Sequence, residues 1–375
     1  MNFQLTEERQ MLQDGLRRYL ADAVTPEALK AAEEGEGFSP EIWAGLSEMG
    51  VAGALFTEDQ GGFGGMGFDL MTVFEELGRA GTSEPMLEVL LAGGLIAELG
   101  DETQQGLVEQ AVEGAVQLAL AHAEPNSRYD IERVETRAER AGDNWTLTGR
   151  KSVVVNGAQA DHIVVSARTS GEARDRDGIS LFVLPKGTAG VEIRDYPLAQ
   201  GGHAAELVLE GVTLPESALL GAEGQAIDAL ETAHARATAA LCADGLGAME
   251  TARRLTGDYL KTRKQFGQPI GKFQALQHRM AELLIEIEQA RSAVINLCGH
   301  LEADRATREI HVSATKHLVG RVARLVAEEA IQLHGGIGMT EEYELGRFAR
   351  RLSMLDHRFG DSTFHLGRFV RLRAA

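Results

Sequence analysis

Apolar positions along the chain change their spacing twice. Over roughly the first 115 residues they recur every three or four positions. Leu12, Leu16, Tyr19 and Leu20 share one face of a first helix, which Thr25-Pro26 closes. The stretch "FSPEIWAGLSEMG" carries Ser39 as an N-cap, Pro40 at the first helical position and Gly50 at the end. "FDLMTVFEELGRAG" and "MLEVLLAGGLIAELG" continue the helical period. The glycine-rich "EDQGGFGGMG", Glu58 to Gly67, lacks the strand-turn-helix setting of a dinucleotide fingerprint and reads as a flexible turn.

From about Val116 to Leu220 the period shortens to two. "VQLALAHAE", "NWTLTGRKSVVVNG", "DHIVVSART", "ISLFVLP", "GVEIRDYPL" and "AELVLEGVTLP" are strand candidates separated by Gly, Asn, Asp and Pro. After Gly224 the helical period returns. Phe273, Leu276, Met280, Leu283, Leu284 and Ile287 form one stripe, and Leu318, Val322, Leu325, Val326, Ala330 and Leu333 a second. Leu345, Phe348, Leu352 and Leu355 form a third. The pattern predicts an α+β multi-domain fold: an N-terminal α-helical domain (1–115), a central antiparallel β-barrel or sandwich (116–222) and a C-terminal four-helix bundle (223–375).

Composition narrows the function. With 56 acidic against 37 basic residues the net charge is −19, which repels phosphate backbones and anionic membranes. Cys242 and Cys298 both fall in helical stretches, which points to a reducing cytoplasm rather than a disulfide framework. The N-terminal "MNFQLTEERQMLQDGL" has acids and no long apolar run, so neither a signal peptide nor a membrane span is expected there. No metal-ligand spacing and no Ser/Cys–His nucleophile motif is present, so no metal is expected.

Two segments are more specific. "TRKQFGQPIGKFQALQHRMAELL", Thr262 to Leu284, and "IQLHGGIGMTEEYELGRFARR", Ile331 to Arg351, resemble the bundle motifs of the acyl-CoA dehydrogenase family. "AEPNSRYD" and "TLTGRKSVVVNGAQADHIVVSAR" are similar to its barrel motifs, in the same order. The wording around Tyr259–Leu284 and the ending "RFGDSTFHL" most resemble small subunits described as pimeloyl-CoA dehydrogenase-like. The resemblance implies FAD as cofactor and an acyl-CoA as substrate, from fatty acid or steroid side-chain β-oxidation. It implies α-proton abstraction with β-hydride transfer to the flavin, electron-transfer flavoprotein as acceptor, and a homo- or heterotetramer.

By the same resemblance, Arg263, Gln265, Phe266, Phe273, Gln274, Gln332, Gly335 and Gly336 match the residues that grip the flavin's pyrophosphate and adenosine across a subunit interface. Arg263 brings a positive fork for phosphate, Gln332 an amide, and the two glycines accessible backbone N–H groups.

Other matching positions depart from the family. Its own-subunit flavin wall carries Thr, Trp and Thr where this chain has Ala123, Val153 and Val155, and its Gly-Ser-Asp triplet becomes Arg128-Tyr129-Asp130. Backbone amides of those strands remain to serve the flavin ring. The two positions that hold the base in different members align with Phe359 and Ala237. A phenyl ring cannot accept a proton.

Asp244 lies two helical turns after Ala237 among apolar neighbours and is the expected base. Asp361 is expected as an N-cap, and His334 and His357 as structural. Three readings follow: a catalytic subunit using Asp244, a non-catalytic partner that clamps a sister chain's flavin, or a flavin oxidase or monooxygenase on the same scaffold.

Overall fold

A computed structural model describes residues 5–340 and 342–374. Helices α1 (Glu7–Ala23), α2 (Pro26–Glu34), α3 (Pro40–Glu48), α4 (Gly67–Ala80), α5 (Met86–Glu88), α6 (Gly94–Leu99) and α7 (Glu102–Val112) come first, with a π-helical turn Val89–Gly93 joining α5 to α6. Strands β1 (Leu118–Ala121), β2 (Arg137–Ala141), β3 (Asn144–Val155), β4 (His162–Arg168), β5 (Ile179–Pro185), β6 (Val191–Pro197), β7 (His203–Pro215) and β8 (Leu219–Leu220) follow. Helix α8 (Ile227–Thr262), a small hairpin of β9 (Lys264–Gln265) and β10 (Gln268–Pro269), then α9 (Gln274–Cys298), α10 (Arg305–His334), α11 (Leu345–Leu355) and α12 (Ser362–Ala374) complete the order. Helical, then antiparallel-rich β, then helical is the architecture that the spacing predicted.

Local chemistry explains the boundaries. Thr6 caps α1 by accepting the Arg9 N–H, and α1 stops before Pro26, whose ring fits only a helix start. Ser39 accepts the Ile42 N–H at 3.3 Å, and Gly50 leaves α3 at φ +68°. The Glu58–Gly67 glycines answer a packing demand rather than a need for flexibility. A β-carbon on Gly62 would lie 2.3 Å from the Phe56 carbonyl oxygen.

The contacts divide the chain into two compact units. One, residues 26–65 and 83–237, holds the eight-stranded sheet with α2, α3 and α5–α7. The sheet runs β6-β7-β3-β2-β4-β5-β8, with β1 added beside β4. Its ladders are antiparallel except β1–β4 and β2–β4, which are parallel. Trp145 and Phe182 meet edge to face at 5.3 Å in a core with Leu147, Val165, Leu207 and Leu214. Strand β2 escaped the sequence reading because only Ala138 of "RAERA" is buried, and β8 because it is two residues long.

Charge is buried in this unit at two places. Arg168, wholly buried, donates to the carbonyls of Glu132, Val134, Asp175 and Asp177 at 2.8–3.2 Å, closing the loop between β4 and β5. Lys151 Nζ donates to Glu124 Oε1 at 2.7 Å and Ser166 Oγ at 3.0 Å.

The other unit comprises the chain up to Thr25, residues 66–82, and everything from Thr238 onward. Helix α10 packs against α9, α11 and α12. Leu283, Ile287, Val322, Val326, Ala330, Phe348 and Leu352 are buried there, while Leu284 of the predicted stripe is 45% exposed. Helices α4 and α8 cross backbone to backbone: a β-carbon on Gly78 would sit 1.9 Å from the Asp244 carbonyl oxygen, and one on Gly247 1.9 Å from that of Glu75. A chain of ion pairs, Arg17–Glu76–Arg79–Glu75–Arg291–Glu250–Arg253, ties α1, α4, α9 and α8 together.

Candidate functional site

The end of α8, the β9–β10 hairpin, the start of α9 and the end of α10 converge on an open cavity of about 610 Å³. Arg263 follows α8 directly, its N–H still bonded to the Tyr259 carbonyl at 2.8 Å. Gln265 pairs with Gln268 across the hairpin, turned by Phe266 and Gly267 at positive φ. Helix α10 ends when Gly335 takes φ 65°, ψ −142°, a region essentially restricted to glycine.

Arg263, Gln265, Arg279, Gln332, Gly335 and Gly336 line the cavity, over a floor of Ile270, Leu276, Leu333 and Ile337. Five of the eight sequence-selected binding residues therefore share one cavity. Phe266, Phe273 and Gln274 do not line it. Phe266 is 90% exposed at the hairpin tip and meets Phe273 edge to face at 6.0 Å, and exposed Gln274 begins α9.

Among the described residues the lining carries two guanidinium groups and no carboxylate. The side chains of Arg263, Gln265 and Gln332 make no hydrogen bond or ion pair among the described residues. β-carbons on Gly335 and Gly336 would meet nothing within 4 Å, so their backbone faces open space. His334, also in the lining, stacks on Tyr259 at 4.6 Å and donates from Nδ1 to the Ala330 carbonyl at 2.8 Å. Burial lowers its pKa and keeps it neutral, so it fixes the turn without adding charge, as the structural reading expected. Open guanidinium, amide and glycine groups suit the diphosphate end of a dinucleotide.

The positions expected to form a flavin wall in this chain's own barrel present little to a ligand. Ala123, Val153 and Val155 offer no polar side chain. The Ser152 N–H donates to the Ala123 carbonyl at 2.9 Å. The Val153 N–H donates to Glu206 Oε1 at 3.2 Å, and Tyr196 donates to the same oxygen at 2.9 Å. Two backbone donors beside this wall are thus engaged within the protein. Val153 itself stands at φ +53°, uncommon for a β-branched residue, where β3 slips register against β7.

No proton acceptor stands at the two matching base positions. Ala237 is fully buried. Phe359 occupies a left-handed turn, φ +58°, held by Lys316 donating to the Gly360 carbonyl at 2.7 Å and His365 Nε2 to the Phe359 carbonyl at 2.9 Å.

Asp244 is the residue expected as base, and its surroundings bear on that role. Asp244 is buried as its neighbours implied, but Arg351 grips both carboxylate oxygens, Nε to Oδ1 at 2.8 Å and Nη2 to Oδ2 at 2.5 Å. The same arginine also donates to the Thr82 carbonyl at 2.8 Å. A carboxylate so engaged is already paired, which argues against its acting as a base. Asp244→Asn is expected to cost about 3 kcal/mol by leaving Arg351 without its counter-charge. Turnover of the assembled enzyme should stay within about twofold. Denaturant melts and steady-state kinetics check this: a large fall in kcat at unchanged stability restores Asp244 as base. Asp361 caps α12 as expected, accepting the Phe364 N–H at 2.7 Å.

Among the described residues no cluster of His, Cys, Asp or Glu could hold a metal ion, and no helix is long and apolar enough to cross a membrane.

The sequence matches three family models in order: acyl-CoA dehydrogenase N-terminal domain over residues 6–110, middle domain over 119–212 and C-terminal domain over 224–371. A short-chain specific acyl-CoA dehydrogenase of Clostridium acetobutylicum is 30% identical, covering 93% of each chain. A chain in a structure titled as the electron transferring flavoprotein of Acidaminococcus fermentans superposes with a TM-score of 0.91 at 29% identity, covering 99% of both chains. A chain of the ChsE4–ChsE5 complex from Mycobacterium tuberculosis gives 0.90 at 26% identity, covering 100% of this chain and 99% of that one. Three successive domain matches and 30% identity to a named dehydrogenase over 93% of each chain place this chain in the acyl-CoA dehydrogenase family of oxidoreductases.

Proposed function

We propose that this chain is the flavin-clamping, non-catalytic partner in a two-component acyl-CoA dehydrogenase. Members of the family are FAD-dependent. In this reading Arg263, Gln265, Gln332, Gly335 and Gly336 grip the diphosphate end of an FAD whose ring is housed in a homologous sister chain. The sister chain supplies the carboxylate that removes the α-proton of the acyl-CoA. The bound flavin supplies the hydride acceptor that yields the 2-enoyl-CoA.

The observation that carries this reading is an asymmetry. The clamp cavity is open and its Arg263 side chain is unpaired among the described residues, while the N–H groups of Ser152 and Val153 in the chain's own wall are engaged and its base positions are Phe359 and Ala237. The similarity to a chain of a ChsE4–ChsE5 complex supports a two-component assembly, and that to a structure titled for an electron transferring flavoprotein supports such a protein as electron acceptor.

Purification alone and with its sister chain tests the proposal. The lone chain is expected to be colourless and the co-purified complex yellow. Arg263→Met in the complex should weaken FAD retention roughly tenfold or more, since a charge-assisted fork to phosphate is lost. A lone chain that holds FAD and is bleached by an acyl-CoA overturns the reading.

A further inference from the structure

The clamp contains a cation that the family resemblance did not single out. Arg279, on the second turn of α9, lines the same cavity as Arg263. Its Nε donates to Glu329 of α10 at 2.6 Å. The two Nη nitrogens make no hydrogen bond among the described residues. We infer that Arg279, oriented by Glu329, is a second diphosphate-binding cation, so that the cavity is built for a ligand with two adjacent phosphates rather than one. The inference rests on the flavin-clamp reading above and extends it.

Charge makes the first part of the case. This chain carries 56 acidic and 37 basic residues, yet among the described residues the cavity lining has two arginines and no acid. A lone guanidinium balances one phosphate, whereas a dinucleotide's bridge brings two negative charges side by side. Two guanidinium groups in one cavity match that number, and each presents a planar fork that suits phosphate oxygens.

Preorganisation makes the second part. Arg263 is exposed and unpaired among the described residues, so binding must immobilise it. Arg279 is half-buried, and Glu329 already fixes its guanidinium through Nε. The entropy of ordering that side chain is thus spent on folding rather than on binding. Glu329 is held away from the ligand in this account: it is absent from the cavity lining, and its role is to position Arg279.

The competing account makes Arg279–Glu329 only a strut between α9 and α10. Flavin titration of the apo-complex with the sister chain, followed by fluorescence, separates the two. The panel is the unchanged complex, Arg279→Met, Arg279→Lys, Glu329→Gln and Arg263→Met, each titrated with FAD and with FMN, which lacks the diphosphate.

Arg279→Met is expected to weaken FAD binding roughly tenfold while changing FMN binding little. Arg279→Lys should fall between, and Glu329→Gln should lose a few fold. Salt should weaken FAD binding less steeply in Arg279→Met than in the unchanged complex. If Arg263→Met weakens FAD but both Arg279 variants bind it normally, or lose FAD and FMN equally, the second-cation role is wrong and the clamp stands. If neither Arg263→Met nor Arg279→Met changes FAD binding, the clamp reading itself fails.

Discussion

Arg168→Met is expected to remove about 3–5 kcal/mol of stability, a large share of what a domain typically has. Arg168 is wholly buried and makes no ion pair with a described carboxylate. Its charge is answered instead by backbone carbonyls, with Asp177 at 2.8 Å, Glu132 at 2.9 Å, Asp175 at 3.0 Å and Val134 at 3.2 Å. Methionine fills the volume but leaves those acceptors facing an apolar thioether, and each unsatisfied carbonyl costs about 1–3 kcal/mol before water relaxes in. Arg168→Lys should recover part of the loss. Denaturant melts give the magnitude, and hydrogen exchange should locate the loosening in the loop between β4 and β5. A loss below about 1 kcal/mol refutes the carbonyl cage as a stabilising element.

Glu124→Gln is expected to cost about as much, for a different reason, and to reshape the pH dependence. Burial raises the Glu124 carboxyl, but the Lys151 ammonium and the N–H groups of Thr136 and Glu135 outweigh it and hold the group below its ordinary pKa. Its contribution is therefore present above the ordinary carboxylate value and is lost as pH falls through the lower, folded value. Burial pulls Lys151 down to about 8, with Glu124 resisting. Between that value and its unfolded one of 10.5 the unfolded chain binds the extra proton, so this group makes stability rise with pH.

The variant leaves the ammonium buried without its counter-charge and turns an amide donor towards an N–H. Lys151 should then be neutral at neutral pH. The acid limb of the stability profile should flatten, which melts at a series of acid pH values will show. An acid limb identical to that of the unchanged protein rules Glu124 out as its source.

Much of the fold was legible because its signals are local. Ser39-Pro40 and Gly50 bracket α3 through contacts within three residues, and six strands are marked by short apolar runs that turn residues separate. Strand β2 is held by its neighbour β3 rather than by its own apolar content, so nothing in "RAERA" announced it.

The site divides in the same way. Arg263, Gln265, Gln332 and the glycine pair lie in compact motifs and converge. Burial of Asp244 was readable from Leu241, Cys242 and Leu246, but its partner is 107 residues away, and that partner decides what the carboxylate does. Arg279 lies within one of these motifs, but helical spacing cannot reveal that Glu329, 50 residues on, orients it.

At the α4–α8 crossing, heredity has almost no latitude. Any replacement of Gly78 or Gly247 adds at least a β-carbon, and at both places that atom would land 1.9 Å from a carbonyl oxygen of the opposite helix. Because the obstacle is main chain, no second substitution elsewhere can clear the space by shrinking a neighbour. Those two codons stay locked for as long as the helices touch.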